Sequence, residues 1–107
     1  MSLDVYLTAV RTTEVYSTNI THNLGRMANE AGVYMYLWRP EEIGITTAQQ
    51  LIEPLRIGLR RLKSDPEHFK QFEPENGWGR YEDFVPWLEK YITACEENPD
   101  ATVGVSR

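Results

Sequence analysis

Leu3-Asp4-Val5-Tyr6-Leu7-Thr8-Ala9-Val10 alternates apolar and polar side chains, and this stretch decides the fold class. Leu3, Val5, Leu7 and Ala9 fall on one side, and Asp4, Tyr6 and Thr8 on the other. That period of two predicts a strand with one buried and one wetter face. Glu14 to Ser17, rich in β-branched and aromatic residues, predicts a second short strand. Arg11-Thr12-Thr13 joins the two into a hairpin. At the far end Ala101 to Val105 alternates again and predicts a final strand, with its natural place beside the hairpin.

Helical spacing fills the interval. Ile20, Leu24, Met27, Ala28 and Ala31 form one apolar stripe and predict a helix over Asn19 to Ala31. Thr18, Asn19 or Thr21 would cap its start, and Gly32 its end. Val33 to Trp38 is wholly apolar or aromatic, so its period is undefined; it is read as a short helix stopped by Pro40. Ala48, Leu51, Ile52, Leu55, Leu59 and Leu62 give the strongest helix, Thr47 to Lys63, opened by a Thr47–Gln50 capping box and kinked or broken at Pro54. A short helix over Glu67 to Phe72 follows. The last, about Arg80 to Glu97, carries a stripe of Phe84, Leu88, Tyr91, Ile92 and Cys95. The expected architecture is a single α+β domain over residues 1–107. It is a small, mostly antiparallel three-stranded sheet, an N-terminal hairpin plus a C-terminal strand, covered by three to four helices.

The totals narrow the chemistry. A chain of 107 residues needs no staples to fold, and its lone Cys95 allows no internal disulfide. Cys95 lies on an apolar stripe, as an inert core residue would. No apolar run approaches the roughly 18–20 residues that cross a membrane, and Asp4 interrupts the first one, so no signal peptide or membrane association is expected. The expected location is the cytoplasm. A net charge of −5 opposes binding to a long nucleic acid, which needs a basic face. A small anion remains compatible, because a pocket needs only one or two local cations. Three Trp and six Tyr provide ample material for cores and for stacking surfaces.

Several clusters carry candidate chemistry, each beside an ordinary structural explanation. Asn19-Ile20-Thr21-His22-Asn23 places polar side chains at an expected helix N-terminus, where free backbone N–H groups favour anions; ordinary capping explains the same residues. His22, Arg26 and Asn29 share one helix face, either solvated or one wall of a pocket. Trp38-Arg39-Pro40-Glu41-Glu42 offers a guanidinium that can clamp an anion, or simply pair with a neighbouring carboxylate. In Asn76-Gly77-Trp78-Gly79-Arg80-Tyr81 a tryptophan sits between two glycines, with Trp78 or Tyr81 available to stack and Arg80 to meet an anion; equally, Trp78 plugs the core. Arg56, Arg60, Arg61 and Lys63 form a basic stripe, which is usually a solvated face. His22, His68 and Cys95 have no metal-ligand spacing, so no metal or cofactor is expected. No phosphate-binding loop, dinucleotide fingerprint or nucleophile elbow is present.

Asn19-Ile20-Thr21-His22-Asn23-Leu24, Leu37-Trp38-Arg39-Pro40-Glu41-Glu42 and Asn76-Gly77-Trp78-Gly79 together resemble a family of small uncharacterised proteins of phages, prophages and bacteria. Leu3 to Leu7 and Val103 to Arg107 extend the resemblance over nearly the whole chain. It implies a setting rather than an activity: small phage proteins without catalytic motifs often bind something of the host, including the nucleotide signals of bacterial immunity. That is analogy.

The resulting expectation is a non-enzymatic binder of a small anionic, nucleotide-like ligand. The site would draw on Asn19, Thr21, His22, Asn23, Arg26, Trp38, Arg39, Trp78, Arg80 and Tyr81, and such pockets often lie between subunits of a homo-oligomer. The alternatives are an acidic module that inhibits a host protein, and a small hydrolase built on His22 with a carboxylate.

Overall fold

The computed structural model describes residues 1–9 and 13–107. The expected strand end at Val10 and the connection through Arg11 and Thr12 lie outside the described residues. Strand β1 runs Ser2–Thr8, β2 Glu14–Thr21 and β3 Thr102–Ser106, in the order β2-β1-β3 with both pairings antiparallel. The molecule is an α+β fold, with the C-terminal strand beside the N-terminal hairpin.

Register explains which face is buried. Leu3 lies opposite Ile20, Val5 opposite Thr18 and Val105, and Leu7 opposite Tyr16 and Val103. These side chains form the inner face, while Asp4, Tyr6, Ser17, Asn19 and Gly104 share the outer one. β2 therefore continues to Thr21, well beyond the expected end at Ser17. Tyr16, Thr18 and Ile20 alternate with Ser17, Asn19 and Thr21, so β1 holds the segment extended against any local capping preference.

A 3-10 turn, His22–Leu24, leads into α1, Gly25–Glu30. Thr21 caps that turn, its Oγ1 accepting from the Asn23 N–H at 3.2 Å. The helix expected from Asn19 thus starts at Gly25 and is six residues long. The short helix α2, Tyr34–Trp38, forms as read and is followed by a 3-10 turn at Pro40–Ile43.

Helix α3, Gln49–Ser64, runs through Pro54 without a break. Of the expected capping box only the Gln50 half is made: its Oε1 accepts from the backbone N–H groups of Thr46 and Thr47 at 2.7 and 3.0 Å. Helix α4, Pro66–Lys70, starts and ends slightly earlier than predicted, and Asp65 Oδ1 caps it by accepting from the His68 N–H. Helix α5, Tyr81–Glu97, continues through Pro86 and buries the whole predicted stripe from Phe84 to Cys95.

The two long helices pack against each other, and α5 lies against the inner face of β2. Tyr91 stacks on Tyr16 at 6.1 Å, and Trp87 Nε1 donates to Thr18 Oγ1 at 3.2 Å. The start of α3 is tied to β3: Val103 N–H donates to the Thr46 carbonyl at 3.0 Å and Ala48 N–H to Ala101 at 2.9 Å. One apolar cluster spans sheet and helices, with Trp38, Tyr91 and Phe84 its largest fully buried members. Each large side chain so buried contributes about 1.5–3 kcal/mol before entropy is counted. Cys95 is inside this cluster, where burial pushes its thiol up to about 12.

At one point α3 comes unusually close to the segment before α2. A Cβ on Gly58 would sit 2.2 Å from Val33 Cγ1 and 3.3 Å from the Ala31 carbonyl. Glycine in mid-helix normally weakens the helix; here its missing side chain lets Val33 bury completely.

Candidate functional site

Trp38 is the post around which the site is built. It is 1% exposed, so its indole supports the site from within instead of offering a free stacking surface. Tyr34 stacks on it at 5.2 Å, nearly parallel. Its Nε1 donates to His22 Nδ1 at 2.8 Å. Indole N–H is only a donor, so Nδ1 must accept, and the neutral imidazole carries its proton on Nε2. His22 thereby presents an N–H donor on its free nitrogen.

The cleft beside this post is an open concavity of about 370 Å³, lined by His22, Gly25, Arg26, Asn29 and Tyr34. His22 from the 3-10 turn and Arg26 and Asn29 from α1 bring three hydrogen-bonding side chains to the cleft, and α2 adds the Tyr34 ring. Arg26 is exposed, and among the described residues no carboxylate pairs with it. Its guanidinium lies 5.8 Å from the Phe72 ring centroid, a favourable cation–π placement. A cation left without a counter-ion beside donor side chains attracts an anion even on an acidic protein.

Of the three motif stretches only the first reaches the cleft, through His22, and it touches the other two. His22 touches Trp38, and Asn23 packs against Gly79: a Cβ on Gly79 would lie 3.2 Å from Asn23 Cβ and 3.3 Å from Pro74 Cδ. Gly79 has φ of 131°, a conformation side chains resist, so glycine is needed twice over. Trp78, its backbone N–H held by Asn76 Oδ1 at 2.9 Å, is 72% exposed and does not line the cleft.

The other candidates are occupied elsewhere. Asn19 stands on the outer face of the sheet opposite Asp4, not at a helix N-terminus, because β2 extends through it. Thr21 is spent on its cap. Arg39 pairs with Glu42 at 2.6 Å; that bond, with Tyr34 nearby, raises its pKa above the ordinary value. Arg80 pairs with Glu82 at 2.9 Å on the exposed surface. Tyr81 donates its hydroxyl to the Leu62 carbonyl at 2.7 Å, receives Lys70 over its ring, and its N–H donates to Glu73 Oε2, so it fastens α5 to the end of α3. The basic stripe is an ion-paired face: Arg56 meets Glu96, Arg60 meets Glu53 and Lys63 meets Glu89. Arg61 instead donates to the Ala31 carbonyl at 3.2 Å.

Tyr34 lines the cleft, and the sequence did not mark it. It sits in an unbroken apolar run where nothing distinguishes a pocket wall from core. Arg107 was not marked either: its Nη1 donates to the Trp38 carbonyl at 2.8 Å and pairs with Glu41 at 2.9 Å, tying the C-terminal end to the post. Among the described residues no three His, Cys, Asp or Glu side chains gather as metal ligands, and no helix is long and apolar enough to cross a membrane. No protein-family model, curated protein or solved structure matches the chain.

Proposed function

We propose that the protein binds a small anionic, nucleotide-like molecule in the cleft between α1 and Tyr34, and returns it unchanged. The observation that carries this is Arg26: among the described residues its guanidinium has no carboxylate partner, and it lines one cleft with His22, Asn29 and Tyr34. Such a mix of apolar surface and a few placed donors is the usual make-up of a small-molecule site. Binding is favoured over turnover because His22 has already committed Nδ1 to Trp38, which leaves a donor and no basic nitrogen toward the cleft. The phage-type setting that the resemblance implies makes a nucleotide signal of bacterial immunity, held in the host cytoplasm, the first candidate.

The test is a thermal-shift and calorimetric screen against nucleotides and cyclic oligonucleotides, with chromatography of the recovered ligand, on the native protein and on Arg26→Ala. A nucleotide present at about 100 times its dissociation constant adds about 2.7 kcal/mol to stability. Recovery of intact ligand, and loss of the shift in Arg26→Ala, is the expected result. No shift anywhere in the panel, or an unchanged shift in Arg26→Ala, rejects the cleft.

Trp78 favours a second reading. A 72%-exposed tryptophan on a glycine-framed loop is the kind of residue that anchors a protein partner. An interaction module would lose its partner in Trp78→Ala and would be indifferent to Arg26→Ala.

A further inference from the structure

A second concavity of about 360 Å³ adjoins the cleft. It shares two walls with it, Asn29 and Tyr34, and is otherwise lined by Gly32, Met35, Tyr36, Ile43 and Ile45. The two ends differ in chemistry. The first offers His22 and Arg26; the second offers two isoleucines, a methionine and a tyrosine, with no charged side chain among them. Ile43, 40% exposed, is among the few large apolar side chains left on the surface. The Pro40–Ile43 turn presents it there, and Gly44, with φ of 77°, turns the chain so that Ile45 follows on the same lining.

We infer that this apolar concavity is the ring subsite of the same ligand: the anionic group lies at His22 and Arg26, and the flat base lies against Met35, Tyr36, Ile43 and Ile45, with Tyr34 between. The inference rests on the cleft being the anion site. Three features assign the occupant. The concavity shares Tyr34 and Asn29 with the cleft. Its volume is of the order expected for a drug-sized ring system, when ligand pockets run from about 300 Å³ upward. Its side chains are apolar and polarizable, and methionine and aromatic surfaces suit a planar π system. Asn29, standing at the junction, can bond the sugar or the edge of the base.

The experiment compares adenosine monophosphate with ribose 5-phosphate, the same anion without the ring. Both are titrated into the isotopically labelled protein while amide chemical shifts are followed. The two ligands should perturb His22 to Asn29 alike, and only the nucleotide should perturb Tyr36, Gly44 and Ile45. The ring should tighten binding about tenfold, a discounted value for burying one face of a base. Ile43→Ser, at an exposed position, should remove that gain and leave ribose 5-phosphate binding unchanged; Met35→Ala serves as a second variant if the first loses its native spectrum. Equal affinity for the two ligands, or a nucleotide affinity unaltered in both variants, overturns the ring subsite and leaves the anion cleft standing. Binding of neither ligand overturns both.

Discussion

Gly58→Ala inverts the usual effect of replacing a helical glycine. On a free helix surface the change gains about 1 kcal/mol. Here the new methyl would stand 2.2 Å from Val33 Cγ1, when carbon atoms rest at about 3.5–4.0 Å, and 3.3 Å from a backbone carbonyl that cannot turn aside. One of the two segments has to retreat by more than an ångström in a fully buried contact, and overpacking of that kind costs about 1–3 kcal/mol beyond the lost propensity gain. The expected outcome is a net loss of about 1–3 kcal/mol, a fall in melting temperature of several degrees for a domain of this size. Urea unfolding followed by tryptophan emission measures it directly, since the midpoint should move without a change in slope. The partner substitution sharpens the test. Val33→Ala alone leaves a cavity and costs about 1–3 kcal/mol. Combined with Gly58→Ala the added methyl occupies part of that space, so the double variant should be more stable than the sum of the singles. If Gly58→Ala is as stable as the native protein, or the two changes simply add, the close approach does not seat α2. Because Val33 adjoins Tyr34, the same displacement should also weaken ligand binding.

Trp38→Phe removes the indole donor to His22 while keeping an aromatic ring in the core. It should fold with a loss of about 1–3 kcal/mol and bind adenosine monophosphate more weakly; undiminished affinity in calorimetry would show that His22 needs no support from Trp38. Cys95 should resist thiol reagents in the native state and react on unfolding. Its pKa rises from 9.0 to about 12 on folding, so the folded protein holds a proton that the unfolded chain releases. Its contribution is intact below pH 9.0 and is lost as pH climbs toward about 12, with buried Tyr91 and partly buried Tyr16 shifted in the same direction. Urea midpoints measured at pH 8, 10 and 11 should decline in that order.

The elements with an unambiguous period were legible before any coordinates: β1 from Leu3, Val5 and Leu7, α5 from Phe84 to Cys95, and α3 despite Pro54. The misread segment, 18–24, carries residues with two meanings. Thr18, Asn19 and Thr21 are good caps on their own, yet Tyr16, Thr18 and Ile20 also keep a strand period, and only the partner strand chooses between them. At the site, His22, Arg26 and Asn29 line one cleft although the single helix face expected of them does not form, because His22 stands in the 3-10 turn before α1. Tyr34 was not legible, since whether a ring lines a pocket or fills a core depends on what packs behind it. Arg80 and Tyr81 went the other way: each found a partner, Glu82 and the Leu62 carbonyl, that sequence proximity to Trp78 does not foretell.

The bond between Trp38 and His22 also makes the molecule its own optical probe. Of the three indoles, Trp78 is bathed in water, Trp87 is bonded to Thr18, and Trp38 is sealed against Tyr34 with its nitrogen on the imidazole that faces the cleft. A water-soluble quencher should silence Trp78 first, and Trp78→Phe should remove the red-shifted part of the emission. What remains includes a fluorophore one hydrogen bond from the site, so occupancy becomes readable as a colour or intensity change in unlabelled protein.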